Sequence, residues 1–173
     1  MLLFLAVTAS ACSSPQYRAT TEYTALLKIA PSGVPGAGNG VFATGTIPGG
    51  ADLGGYEGQY ITEAEWLKLA ETGKAEYVMS LPDCAYPAIA PYKLIDGRDG
   101  SIHSRINYAP PPLQNAEIRF FCDPPYARIV TLRAIETGEE LFIDYGPDYD
   151  YSFMKNKKVQ DYFKRLQRTA KKR

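Results

Sequence analysis

Apolar positions along this chain fall in short runs, broken every few residues by glycine, proline or a charge, a pattern of brief strands joined by turns. One strand is expected from Tyr23 to Ala30 and another over Val41-Phe42-Ala43, with the glycine-rich loop Pro31 to Gly40 between them. After the turn at Ile47-Pro-Gly-Gly, Leu53 to Gly58 continues as a broken strand, and Tyr77 to Leu81 is a further apolar run. Ile118 to Phe121 and Ala127 to Leu132 read as two strands around Asp123-Pro-Pro-Tyr, whereas Pro82 to Pro91 and Lys93 to Gly100 read as loop and turn. Two stretches carry helical signals. Thr62 and Glu65 form a capping box ahead of Trp66, Leu67, Leu69 and Ala70, with Gly73 as the stop. Val159, Tyr162, Phe163 and Leu166 recur at i, i+3, i+4 and i+7 with lysines and arginines on the other face. The fold class is therefore mainly β, short strands joined by turns, with one short internal helix and a C-terminal helix.

A chain of 173 residues can bury one core, so a single domain with a tail is expected. The division is an N-terminal apolar segment over 1–22, a body over 23–150 and a basic helix or tail over 151–173. Met1 to Val7 and the box Thr-Ala-Ser-Ala-Cys12 look loosely like a lipoprotein leader. The run has no basic residue before it and is far shorter than the ~20 residues that cross a bilayer, so no transmembrane span is expected. A segment packing on the domain or an imperfect gene start is preferred, with export as the alternative. Cys12, Cys84 and Cys122 are odd in number and far apart, and His103 has no partner nearby, which indicates neither a zinc site nor a disulfide framework. His103 reads as a packed or surface histidine.

Net charge is zero, but residues 154 to 173 hold nine Lys or Arg against Asp161 alone, leaving ten basic and eighteen acidic residues before them. The body should prefer basic partners and the tail acidic ones. Contact of the tail with nucleic acid is secondary to its reading as a solvated face.

The densest local chemistry lies in Gly138-Glu-Glu-Leu-Phe-Ile-Asp-Tyr145-Gly146, where a strand ends on a tyrosine held between an aspartate and a glycine. Glu139 and Glu140 are expected to be solvated or paired with basic groups. The glycines at 36, 38 and 40 miss the Gly-x-Gly-x-x-Gly spacing, and a strand follows them, which argues against a dinucleotide phosphate site.

Three segments in order, Gly38-Asn-Gly-Val-Phe-Ala43, Gly100-Ser-Ile-His-Ser-Arg-Ile-Asn107 and Gly138 to Gly146, together resemble a SET domain, the protein lysine methyltransferase fold. Ile47-Pro-Gly-Gly, Tyr56-x-Gly58, Ile95-Asp96 and Arg133-Ala-Ile135 support the resemblance, which covers roughly residues 24 to 150. It implies small sheets with the C-terminal motif threaded beneath the Asn107 segment in a knot-like crossing. It implies a cofactor, S-adenosylmethionine, along the backbone of Gly38, Asn39, Gly40 and Val41. Asn107 would contact that cofactor, Ser104 and Tyr108 would stand beside it, and Tyr145 would be catalytic. Tyr56, Ile143 and Tyr145 would line the channel that admits the substrate lysine. The chain departs from the family where Tyr108 replaces a cofactor-binding histidine, where Ser104 replaces an arginine, where Ile143 replaces an aromatic, and in lacking flanking zinc cysteines. In their place, Tyr149, Tyr151 or Phe153 is expected against the adenine.

The function implied is S-adenosylmethionine-dependent lysine methylation of a basic protein such as a histone tail, by a monomer or small homo-oligomer. An intracellular compartment is expected, nuclear if histones are the substrate. The alternative is a SET-like module that has lost catalysis and binds peptides.

Overall fold

The computed structural model describes residues 21–124 and 126–170. The expectations for the apolar run and the Cys12 box lie outside the described residues. A single helical turn, α1 (Thr21–Thr24), precedes strand β1 (Leu27–Pro31), so the first strand starts later than Tyr23. The Thr24 hydroxyl donates to the Leu53 carbonyl and the Leu26 N–H to the Tyr23 carbonyl, side-chain and turn bonds that compete with an extended chain here. β1 pairs antiparallel with β2 (Asn39–Ala43), Leu27 opposite Ala43 and Pro31 opposite Asn39, so the glycine-rich loop projects from the end of a fixed hairpin.

β3 (Asp52–Gly55) leads to β4 (Gln59–Ile61) and α2 (Glu63–Glu71), whose N-cap Thr62 and Glu65 form both bonds of the capping box. No residue of α2 is buried, and Leu67 is half exposed, so the apolar side read from the sequence is not a core face. β5 (Val78–Ser80), a helical turn α3 (Tyr86–Ile89) and β6 (Leu94–Asp96) follow. β6 lies between β4 and β5 in one antiparallel sheet, which corrects the expectation of turn from Lys93 onward. Its three residues are too few to announce a strand without the partners on either side.

A second three-stranded sheet has the order β3-β9-β8, with β8 spanning Ala116–Phe120 and β9 Ala127–Thr131. The central strand, Ala-Arg-Ile-Val-Thr, is buried along its whole length, as its β-branched residues favour. The register slips between Asp52 and Gly54, and Gly54 takes φ +112°, a backbone state that an L side chain would strain. The main core gathers Val41, Ile47, Leu53, Ile106, Ile129, Ile135 and Leu141, each essentially inaccessible. Burial of one such side chain contributes roughly 1.5–3 kcal/mol.

The C-terminal crossing is built from β7 (Asn107–Tyr108) and β10 (Phe142–Ile143), which run parallel with Phe142 beside Asn107. The chain from Ile106 to Asn115 loops over β10 and bonds to it on both sides. Ala109 N–H donates to the Ile143 carbonyl, and Asn115 donates to the carbonyls of Glu140 and Phe142 while its Oδ1 accepts from Phe142 N–H. Helix α4 (Lys157–Ala170) then lays Val159 and Phe163 onto Val34, Ala109, Leu113 and Phe142.

Cys84 and Cys122 form a disulfide, their Cα atoms 5.2 Å apart across 38 residues of sequence, against the expectation that no disulfide framework is indicated. The spacing hid it because Cys84 lies in a 3-10 turn after β5 and Cys122 just past β8, elements that meet only in the folded chain.

Candidate active site

Tyr145 lies two residues past the end of β10, so the parallel pairing with β7 determines where its ring goes. Its hydroxyl donates to the Ile106 carbonyl at 3.0 Å, and its ring lies 4.6 Å from Tyr149 and 5.9 Å from Tyr108. Burial pushes the phenol well above its ordinary range, with Tyr149 and Tyr56 adding to the effect. Tyr56, at the end of β3, donates its hydroxyl to the Tyr77 carbonyl at 2.7 Å. Its phenol is also pushed well up, by burial first and then by Asp96. Both tyrosines therefore remain neutral donors at ordinary pH.

Asn107 is oriented by two acceptors. Its amide donates to the Asn39 carbonyl at 3.0 Å and to Glu140 Oε1 at 3.1 Å. A carbonyl and a carboxylate only accept, so the amide group must present its N–H side to them. Glu140 is buried, which corrects its reading as solvated or paired with a basic group. Besides Asn107 it accepts from the Ser32 hydroxyl at 2.6 Å and the Gly33 N–H at 3.0 Å. Three donors offset the loss of water around a carboxylate. A side chain at position 40 has no room: a Cβ there would stand 2.2 Å from Glu140 Oε1. Glu139 behaves as expected, bonded to Arg133 with its other oxygen 3.1 Å from Arg133 Nη1.

These segments converge on a cleft of about 1450 Å³. Of the residues singled out in the sequence, Gly38, Asn39, Tyr56, Ser104, Asn107, Ile143 and Tyr145 line it. Gly40 sits behind the wall against Glu140, and Val41 is fully buried, its carbonyl accepting from Leu141 N–H at 2.8 Å. Tyr108 and Tyr151 pack with ring centroids 4.7 Å apart and planes tilted by 51°, Phe153 edge-on to Tyr108, outside the cleft lining, while Tyr149 reaches the cleft. The Tyr151 hydroxyl lies 2.7 Å from the Gly146 carbonyl and 3.0 Å from Asp144, tying the chain after the motif back to it. Ser104 turns its hydroxyl to the Ser101 carbonyl at 3.1 Å, and Arg105 stacks over Tyr77 at 4.2 Å.

Sequence reasoning missed Ser32, Tyr77 and the buried state of Glu140. Ser32 and Glu140 are 108 positions apart, and no local pattern joins them. The cleft also carries Glu63, Glu76, Glu117, Asp144, Asp148 and Asp150 against two cations, Lys93 and Arg105, an asymmetry visible in the sequence only as bulk charge. Among the described residues no group of His, Cys, Asp and Glu could hold a metal ion, and no helix is long and apolar enough to cross a membrane.

The SET domain sequence profile matches residues 38–146, more than half of the chain, and the chain belongs to the SET-domain family. Its fold is shared with the methyltransferase domain of human PR domain-containing protein 2, at 22% identity over 73% of this chain and 81% of that one, TM-score 0.52. The polycomb repressive complex 2 of Chaetomium thermophilum is similar at 20% identity over 72% of this chain and 16% of that one, TM-score 0.60. The same complex in an autoinhibited conformation bound to S-adenosylmethionine is similar over 82% of this chain and 17% of that one, at 20% identity and TM-score 0.58. This chain thus spans less than a fifth of those polycomb chains.

Proposed function

We propose that this chain is an S-adenosylmethionine-dependent protein lysine N-methyltransferase whose body spans 23–150 and whose substrate is a basic protein segment such as a histone tail. The observation that carries the reading is the convergence of Tyr145, Tyr56 and Asn107, from three distant segments, on one cleft beside Gly38 and Asn39. The donor set fits the cofactor. With both amide hydrogens committed to Asn39 and Glu140, Asn107 keeps its Oδ1 to accept from an ammonium group. Gly38 and Asn39 offer loop backbone, and Tyr149 offers a half-exposed ring for the adenine. Tyr108, Tyr151 and Val41 support the site from behind.

Bound S-adenosylmethionine supplies an electrophilic methyl on a sulfonium. The residues of the chain must provide a neutral amine facing it. A free lysine, pKa ~10.4, costs about 4.6 kcal/mol to deprotonate at pH 7. Tyr56, Ile143 and Tyr145 line the cleft with buried or partly buried side chains, and an ammonium placed against them loses hydration, which favours the uncharged amine. The Tyr145 hydroxyl orients the amine; as a phenol pushed upward by burial it is no base, and the proton leaves to solvent. Acidic side chains along the cleft suit residues flanking a lysine in a basic segment. No membrane span enters this reading, and a monomer or small homo-oligomer in an intracellular compartment, nuclear for a histone substrate, accords with it.

Labelled-methyl transfer from S-adenosylmethionine to core histones and a basic lysate fraction tests the proposal. Tyr145→Phe should lower transfer at least a hundredfold with cofactor affinity nearly unchanged, and Asn107→Ala should weaken calorimetric cofactor binding at least tenfold. The rival, a peptide-binding module without catalysis, draws on Tyr108 being packed against Tyr151 rather than facing the cleft. It predicts no transfer by the native chain and peptide binding indifferent to Tyr145→Phe.

A further inference from the structure

Helix α4 has two faces of opposite character, and the fold has used one of them. Val159 and Phe163 are buried and Tyr162 and Leu166 partly so, all against the body, and the Tyr162 ring covers Gly33, where a Cβ would come within 2.6 Å of the hydroxyl. The other face carries Lys157, Lys158, Lys164, Arg165 and Arg168, all exposed. At 3.6 residues per turn these five fall within an arc of about 120° and run along roughly 16 Å of axis. The acidic residue inside the arc is Asp161, bonded to Lys157 at 2.6 Å, which leaves a net charge of four.

We propose that this stripe is a docking surface for the phosphate backbone of a nucleic-acid duplex. Duplex DNA places about one charge per 1.7 Å of axis, so the stripe runs along the length of on the order of nine phosphates, and its net charge neutralises about four of them and displaces their counterions. A membrane surface is the weaker candidate, because an interfacial helix inserts its apolar face and that face of α4 is committed to the core. An acidic protein is weaker as well. Protein interfaces centre on apolar or aromatic anchors, whereas the positions flanking this arc are Gln160, Gln167 and Thr169. The rest of the chain is acidic, with eighteen acidic residues and ten basic ones before residue 154, so a polyanion is repelled elsewhere and meets the molecule through α4. None of this depends on the proposed methyl transfer.

The test is fluorescence anisotropy of a labelled ~20 bp duplex of random sequence titrated with the full chain at about 50 to 300 mM salt. The expected result is binding whose log affinity falls with log salt at a slope of about −4, and a loss of at least tenfold in K164E/R165E/R168E. The neutral set K158Q/K164Q/R168Q, less perturbing to the helix, should lose several-fold, and circular dichroism checks that both variants remain folded. Absence of binding at about 50 mM salt, or binding that neither set weakens, overturns the proposal. Binding to phosphatidylserine vesicles as tight as to the duplex, with the same loss in the variants, overturns it too, since the surface would then be a general anionic one.

Discussion

Glu140 is the residue whose surroundings say most about the site. It ties the glycine-rich loop, through Ser32 and Gly33, to the asparagine segment, through Asn107, so a carboxylate from the last motif sets the distance between the first two. Glu140→Ala leaves three donors without their acceptor and should cost about 2–3 kcal/mol in unfolding free energy, given the strength of bonds to charged groups. Glu140→Gln keeps the shape but presents a donor to one of those donors, and its loss should be smaller; chemical denaturation of both variants measures the difference. If the proposed cofactor reading holds, Glu140→Gln should also weaken S-adenosylmethionine binding without touching any cofactor atom, by freeing the Asn107 amide to rotate. Tyr145 stood out in the sequence because it ends a short apolar strand, and Asn107 because its segment takes its place in the ordered set of motifs that resembles the family. It could not show Glu140, whose side chain is charged, whose neighbour Glu139 is a surface partner of Arg133, and whose partners come from 33 and 108 positions away.

Among the elements, those with an internal signal were legible. The capping box defined α2, the i, i+3, i+4 and i+7 pattern defined α4, and the turn at Asp123 joined β8 to β9. β6 escaped because a strand of three residues takes its identity from the strands beside it. The disulfide escaped for the same physical reason on a larger scale, since only the folded β sheets bring its ends together. Closing 38 residues removes roughly 4 kcal/mol of chain entropy from the unfolded state. Reduction by dithiothreitol, or the pair C84S/C122S, should lower unfolding free energy by about 2–4 kcal/mol, read from urea melts with and without reductant. An unchanged midpoint would mean the segment from Pro82 to Pro91 is held by its packing alone.

At the scale of the whole molecule, stability should carry one histidine's signature. His103 is the single histidine of the chain, buried, with Nε2 2.9 Å from the Leu53 carbonyl and Nδ1 3.2 Å from the Ser101 hydroxyl. Burial holds its imidazole below the ordinary range, against the opposing pull of the backbone bonds. The unfolded chain therefore takes a proton first, so stability is fully present above pH ~6.5 and falls as pH drops through that value. Melting temperatures between about pH 7.5 and 5 should decline in the native chain and flatten in this range in His103→Gln.

The loop that encloses β10 has a further consequence, for synthesis. The loop spans Ile106 to Asn115, but the strand passing through it comes 27 residues later, measured from Asn115 to Phe142. The ribosome releases the parts of the cleft in the order loop, asparagine, tyrosine, and it withholds the last until most of the chain has emerged. A nascent chain ending before Glu140 lacks the carboxylate that ties Asn107 to the glycine-rich loop, and one ending before Phe142 lacks the strand that carries Tyr145 into the cleft. The cleft is thus completed only after the last motif has emerged, whatever order its earlier walls form in.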